Sequence, residues 1–186
     1  AGPIGCELSQ AFRRFGSDVT LVESDRGLLP KEDREAADIV RQSLLHDGVS
    51  IRGGARDLQV ANVSDGIQLS VESRSESWQT TVDNLVVAVG RAPNVESLGL
   101  ASAGVEFGDA GIQVNDRLQT SNPHIFAAGD VASKYQFTHA ADFMARVVIG
   151  NALFFGRSKA SALTIPWATY TQPELARVGR TSAELN

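Results

Sequence analysis

Gly2, Gly5 and Glu23 are the residues whose types and spacing point first to chemistry. Gly2 and Gly5 stand at the spacing of the last two glycines of G-x-G-x-x-G, in the opening stretch AGPIGCELSQAFRRFGSDVTLVE. Glycine at such a turn lets the backbone approach a pyrophosphate, and the helix behind it offers free N–H groups and the positive end of its dipole. Glu23 follows at about the 20-residue spacing at which an acid accepts hydrogen bonds from an adenosine ribose. A carboxylate there repels a 2′-phosphate, so NAD is favoured over NADP, while nearby Arg26 works against that preference. The plainer alternative is a Gly-rich turn in an ordinary α/β unit. The motif's opening glycine and the strand leading into it would both precede Ala1. The chain therefore reads either as an excerpt of a longer protein or as a sheet without its central strand.

The single cysteine, Cys6, falls in the first turn of the same helix. One thiol can make neither an internal disulfide nor a C-x-x-C pair. It is expected to pack as a small apolar residue; a helix amino terminus that lowered its pKa would instead make it reactive.

These residues need elements to hold them. Ile4, Leu8, Ala11, Phe12 and Phe15 recur at helical spacing, which predicts a helix with that face inward, ended by Gly16. Val19–Val22 reads as a short strand with Glu23 at its carboxyl end, followed by a polar loop over Ser24–Pro30. Lys31–His46 reads as a second helix, burying Ala36, Ile39, Val40, Ser43 and Leu44. Asp47-Gly48 closes it and Val49–Ile51 is a strand. Ala55–Val63, Ile67–Ser73 and Trp78–Val82 alternate apolar and polar residues, with turn signals at Ser64–Gly66 and Ser73–Ser77, and predict an antiparallel meander. Asn84–Val89 is a continuous apolar run, as in a buried parallel strand. Beyond the breakers Gly90–Asn94, a short helix is expected over Ser97–Gly104, a hairpin over Gly111–Thr120 with Asn115-Asp116 near its turn, and a strand over Ile125–Ala128. The longest helix is expected over Phe137–Phe155, with Ala140, Phe143, Met144, Val147, Val148 and Leu153 on its apolar side. Gly156–Ser161 reads as a linker, and Thr164–Tyr170 and Ala176–Val178 as further strands.

The composition limits the classes. The 186 residues are 42% hydrophobic, enough for one large or two small folded domains. Net charge is −5 with no basic run, which argues against nucleic acid or an anionic membrane as partner. No run is apolar for the length of a membrane span and the amino terminus is not a signal peptide, so a cytoplasmic location is expected.

Three stretches in order carry a resemblance: GPIGCEL with Glu23 downstream, VVAVGRAPN at Val86–Asn94, and TSNPHIFAAGDV at Thr120–Val131. Together they resemble the pyridine nucleotide–disulfide oxidoreductases, in tone their mercuric reductase and dihydrolipoamide dehydrogenase branches. Ile165–Gly179 resembles the start of the family's dimer interface domain. The resemblance implies an internal piece of an α/β flavoprotein. It would comprise a Rossmann-like NAD-binding domain over 1–90, with a parallel sheet, an antiparallel three-stranded meander and its first strand missing. A partial FAD-binding domain over 91–160 and the start of a dimerisation domain over 161–186 would follow. It implies that Gly2, Pro3, Ile4 and Gly5 form the pyrophosphate turn and that Pro3 replaces a tyrosine gate. Glu7 would lie near the nicotinamide and flavin, Glu23 would bind ribose, and Gly90 would touch the nicotinamide end. On the flavin side it implies Gly129 and Asp130 at a ribityl hydroxyl, and Thr138, His139 and Ala140 at the helix start facing the isoalloxazine. A turn role for Asp130 and, for His139 rather than a base, a solvated or merely packed role are the plainer alternatives. The parent would pass hydride from NADH to FAD and on to a disulfide, metal ion or other acceptor. The chain itself holds no redox pair, so turnover by it alone is not expected, and whether it holds FAD unaided is doubtful. An unpaired sheet edge would favour a homodimer or domain-swapped self-association. The non-catalytic alternative is a truncated nucleotide-binding or self-associating module.

Overall fold

The computed structural model describes residues 1–24, 26–73 and 76–185. They divide into two units, Ala1–Gly90 together with the segment from Ala168 onward, and Arg91–Trp167.

In the first unit, α1 spans Pro3–Arg14. Pro3 at its first position forfeits only an N–H that a helix start leaves unpaired anyway. Gly16 ends it at a φ of +98°, as expected. The N–H groups of Gly16 and Ser17 close onto the carbonyls of Arg13 and Phe12, the paired pattern of a glycine-capped terminus. β1 (Thr20–Val22), α2 (Arg34–His46) and β2 (Ser50–Arg52) follow. β1 and β2 pair in parallel, Leu21 opposite Ile51. Cys6, Leu21, Leu28, Leu29, Ala37, Val40, Leu44 and Val49 form the core beneath the two helices.

Two faces differ from the sequence expectation. α1 buries Gly5, Cys6, Ser9 and Gln10, while Ile4, Leu8, Phe12 and Phe15 are exposed. Small residues let α1 lie close on β1, and Gln10 is drawn inward by hydrogen bonds; together they outweigh the apolar stripe. α2 buries Ala37, Val40 and Leu44, with Ile39 exposed. It starts at Arg34 and not at Lys31. Arg34 donates to the carbonyls of Leu28, Leu29 and Glu32, holding the preceding segment as a tight turn. That turn buries Leu28 and Leu29, which the sequence read as part of a polar loop. Asp25 of that loop lies outside the described residues.

The meander follows as β3 (Ala55–Val63), β4 (Gly66–Ser73) and β5 (Ser77–Val82), antiparallel in that order. Arg74 and Ser75 of its second turn lie outside the described residues. Asn84–Val89 is not a buried strand. It makes no ladder among the described residues, and Val86, Val87 and Val89 are exposed. An apolar run becomes a strand only where a neighbour accepts its backbone groups, and none of the described strands does so. After Ala168 the chain returns to this unit, where the pair β8 (Trp167–Thr169) and β9 (Leu175–Arg177) leads on, and Leu175 packs on the core.

In the second unit, Ser97–Gly104 forms successive turns and no helix, with Ser97, Gly99 and Gly104 at positive φ. The hairpin is β6 (Phe107–Gly108) with β7 (Gly111–Ile112), earlier than expected. Asn115 instead anchors a separate tight loop, its Oδ1 accepting from the N–H groups of Arg117 and Gln119. The expected strand at Ile125–Ala128 reduces to one antiparallel bridge, Gln119 to Phe126. α3 spans Thr138–Leu153 and buries Ala140, Met144 and Val147, the last two against Leu118, whereas Phe143 and Leu153 of the expected face are exposed. Asp116 clasps the linker, accepting from the N–H and hydroxyl of Ser161, each at 2.8 Å.

Candidate functional site

The amino end of α1 is bare. Gly2 is its N-cap and gives no side-chain cap, and no acidic residue lies in the first turn. The N–H groups of Ile4 and Gly5 are thus among those a helix start leaves without intrahelical partners. Neither glycine is demanded by the fold. Gly2 has a φ of −77°, and a Cβ there would meet nothing within 4 Å. A Cβ on Gly5 would make only ordinary contacts, 3.6 Å to Leu21 Cδ1 and 3.7 Å to the Ala88 methyl. Gly5 does mark where α1 touches both β1 and the extended segment before Gly90.

Glu23 lies at the carboxyl end of β1. The N–H of Leu29 donates to the Ala1 carbonyl at 2.9 Å, which ties the loop behind Glu23 to the turn. Glu23 Oε2 accepts from the Gly27 N–H at 2.9 Å, and Oε1 from that of Gly54 at 3.4 Å. The carboxylate is thereby held at the strand ends, with lone pairs to spare. Glu7, one turn into α1, accepts from the Tyr170 N–H at 2.9 Å through Oε1. Gly90 has a φ of +141°, a conformation that excludes a side chain.

In the second unit Gly129, at a φ of +81°, packs against the first turn of α3, where an added Cβ would stand 3.2 Å from the Ala141 methyl. The structure therefore brings Gly129 and Asp130 to the helix start formed by Thr138, His139 and buried Ala140. Phe137 caps that helix without a side-chain bond, and its first turn holds no acid, so its amino end also suits an anion. His139 is exposed, yet its ring stacks on Phe137 with centroids 5.4 Å apart, and Nε2 lies 2.6 Å from the Pro166 carbonyl. A carbonyl only accepts, so Nε2 carries the proton. The sequence did not assign a partner to Asp130. Arg91 supplies one, with Nη1 3.3 Å from Oδ2 and 3.3 Å from the Gln136 carbonyl. Its place directly after Gly90 in the VVAVGRAPN stretch was the available signal. A cavity of about 320 Å³ opens beside Arg91, between Pro93, Asp109 and Lys134. Another, of about 330 Å³, lies on the meander at Asp57, Ser70 and Trp78 and touches none of these residues. Among the described residues no cluster of ligands could hold a metal, and no helix is long and apolar enough to cross a membrane.

A parallel βαβ arrangement with a bare helix start beside a strand-end acid defines a mixed α/β protein with a candidate nucleotide turn. Residues 1–145 match the model of the pyridine nucleotide-disulphide oxidoreductase family, and the chain belongs to that family. It is 39% identical over 98% of its length to a dihydrolipoyl dehydrogenase of Thermus scotoductus, covering 40% of that protein. It is 34% identical over 99% of its length to a mercuric reductase of Staphylococcus aureus, covering 34% of it. Among solved structures it superposes with a TM-score of 0.87, at 33% identity, on the HOCl-induced flavoprotein disulfide reductase of Escherichia coli. That match spans 99% of this chain and 42% of the other. The chain thus spans about 40% of the length of such relatives.

Proposed function

We propose that this chain is the nucleotide-docking part of an FAD-dependent NAD(P)H oxidoreductase-like flavoprotein, seating NADH at Gly2–Gly5, Glu7, Glu23 and Gly90. The observation that carries this is the helix start at Gly2 and Gly5. Neither conformation nor packing calls for glycine there, and close approach of a ligand to the backbone does. Glu23 offers spare lone pairs to ribose hydroxyls and opposes a 2′-phosphate, which favours NAD over NADP. In the second unit, Gly129, Asp130 and the start of α3 at Thr138–Ala140 fit one wall of a flavin site: a carboxylate for a hydroxyl, and a positive helix end for a developing negative charge. Bound together, the two cofactors would carry hydride from NADH to FAD and electrons onward to a disulfide, metal ion or other acceptor. This chain's residues bind and orient; none of those described forms a redox pair. The domain division is 1–90 for NAD, 91–160 for part of the flavin domain and 161–186 for the start of a dimerisation domain.

Calorimetric titration of the chain tests the reading. NADH is expected to bind in the micromolar range and more tightly than NADPH. Glu23→Gln is expected to weaken NADH about tenfold and to narrow its lead over NADPH, as loss of a charge-assisted hydrogen bond does. Absence of saturable NADH binding would sink the nucleotide turn. With NADH, added FAD and a dye, no rate above that of free FAD is expected.

A second reading, a non-catalytic self-associating module, is favoured by one observation: the exposed apolar residues on α1 and at Val86, Val87 and Val89.

A further inference from the structure

We propose that Gln10 is a positioning residue for the nicotinamide end of the site, acting through the backbone of Gln172 and Tyr170 on the Glu7 carboxylate; this rests on the reading that places Glu7 at the nicotinamide. Gln10 lies on the buried face of α1, only 4% exposed. Its amide grips both main-chain polar groups of Gln172. Oε1 accepts from the Gln172 N–H at 2.8 Å, and Nε2 donates to the Gln172 carbonyl at 3.0 Å. The other Nε2 proton goes to Asp47 Oδ2 at 2.8 Å. Those partners fix which end of the amide is which, since an N–H needs the oxygen and a carboxylate needs the NH₂.

The grip is reinforced from two sides. Ser43 on α2 also donates to the Gln172 carbonyl. Arg14 donates to Asp47 Oδ2 and to the Gln172 side chain, so Asp47 ties the helix pair to the same segment. Two residues before Gln172, the Tyr170 N–H meets Glu7 Oε1 at 2.9 Å. With Gln172 held at both its main-chain groups, Tyr170 cannot swing away from α1, and its N–H fixes the Glu7 carboxylate. Without Gln10 the Tyr170–Gln172 segment loosens and Glu7 is free to turn to solvent. Gln10 can act on Glu7 because it lies three positions, about one helical turn, beyond it on the same helix.

The test is a double-mutant cycle read by NADH binding to the whole chain, with thermal unfolding followed in parallel. Gln10→Met is expected to weaken NADH by about five- to tenfold, the low end of typical coupling between sites. In a Glu7→Ala background the same change is expected to add nothing. Equal loss with and without Glu7, or loss of thermal stability with unchanged NADH affinity, would reduce Gln10 to a structural tie and overturn the inference. If wild type itself fails to bind NADH, the nucleotide reading falls instead. Should Gln10→Met not fold, Gln10→Asn keeps the amide one methylene too short and carries the same comparison.

Discussion

Cys6 is fully buried in the first turn of α1, its Sγ 3.6 Å from the Ala1 carbonyl. Burial pushes its thiol up to about 11, with Glu7 adding to the rise. A helix start can activate a thiol, but only where the thiolate keeps some solvation. Here desolvation wins and Cys6 packs as an apolar residue. The linkage has a definite sign. The unfolded thiol ionises near pH ~8.5 while the folded one stays neutral to about 11. The stabilisation from Cys6 is therefore complete below the lower value and is lost as pH rises through the upper. Urea unfolding of wild type and Cys6→Ala between those limits should show wild type losing about 3 kcal/mol more than the variant. Parallel slopes would mean the thiol ionises in place.

At the scale of elements, Glu32 and Arg177 join the turn before α2 to β9 through an ion pair of 3.5 Å, with side chains only 5% and 14% exposed. Arg177 Nη1 also reaches the Lys31 carbonyl at 3.3 Å. Removing one partner of a buried pair leaves the other desolvated, at a cost of roughly 3 kcal/mol or more, whereas replacing both by apolar groups can be neutral. Arg177→Met should lower the unfolding midpoint clearly, and Glu32→Met on top of it should restore much of the loss. A double variant no better than the single would place the effect in β9 packing. This contact was not legible in the sequence, because it joins residues far apart in the chain. What was legible is local. Gly16 ends α1, Ser64–Gly66 turns the meander, and β1 and β2 fall within a residue or two of their expected limits. Which face each helix buries was not local. Gln10 points inward because Asp47 and Gln172 are there to meet it. Ile39 points out because Ala37, not Ala36, meets the core. The candidate site divided the same way: Gly2, Gly5 and Glu23 could be read from spacing, whereas Arg91 on Asp130 and Gln10 on Gln172 are pairings that only the folded chain assembles.

At the scale of the whole molecule, the unit containing α1 leaves a broad apolar surface uncovered among the described residues. Ile4, Leu8, Phe12 and Phe15 line one side of α1 at 49%, 36%, 42% and 84% exposure, and Val87 and Val89 stand at 71% and 91%. Asn84–Val89 carries backbone groups that no described strand pairs, and a flat apolar segment of that kind is a template for another chain. Burying a side chain such as Leu or Phe is worth about 1.5–3 kcal/mol, so a few such residues suffice for micromolar self-association. The chain is accordingly expected to elute as a dimer or larger species whose population grows with concentration, measured by light scattering after size exclusion. Leu8→Lys and Val87→Lys place charges on the exposed surface, at residues outside the core cluster. Together they should shift the population towards monomer while leaving the far-ultraviolet signature of the helices unchanged. A concentration-independent monomer in the unaltered chain would show that the apolar surface is tolerated in water and that the self-associating reading has no basis in it.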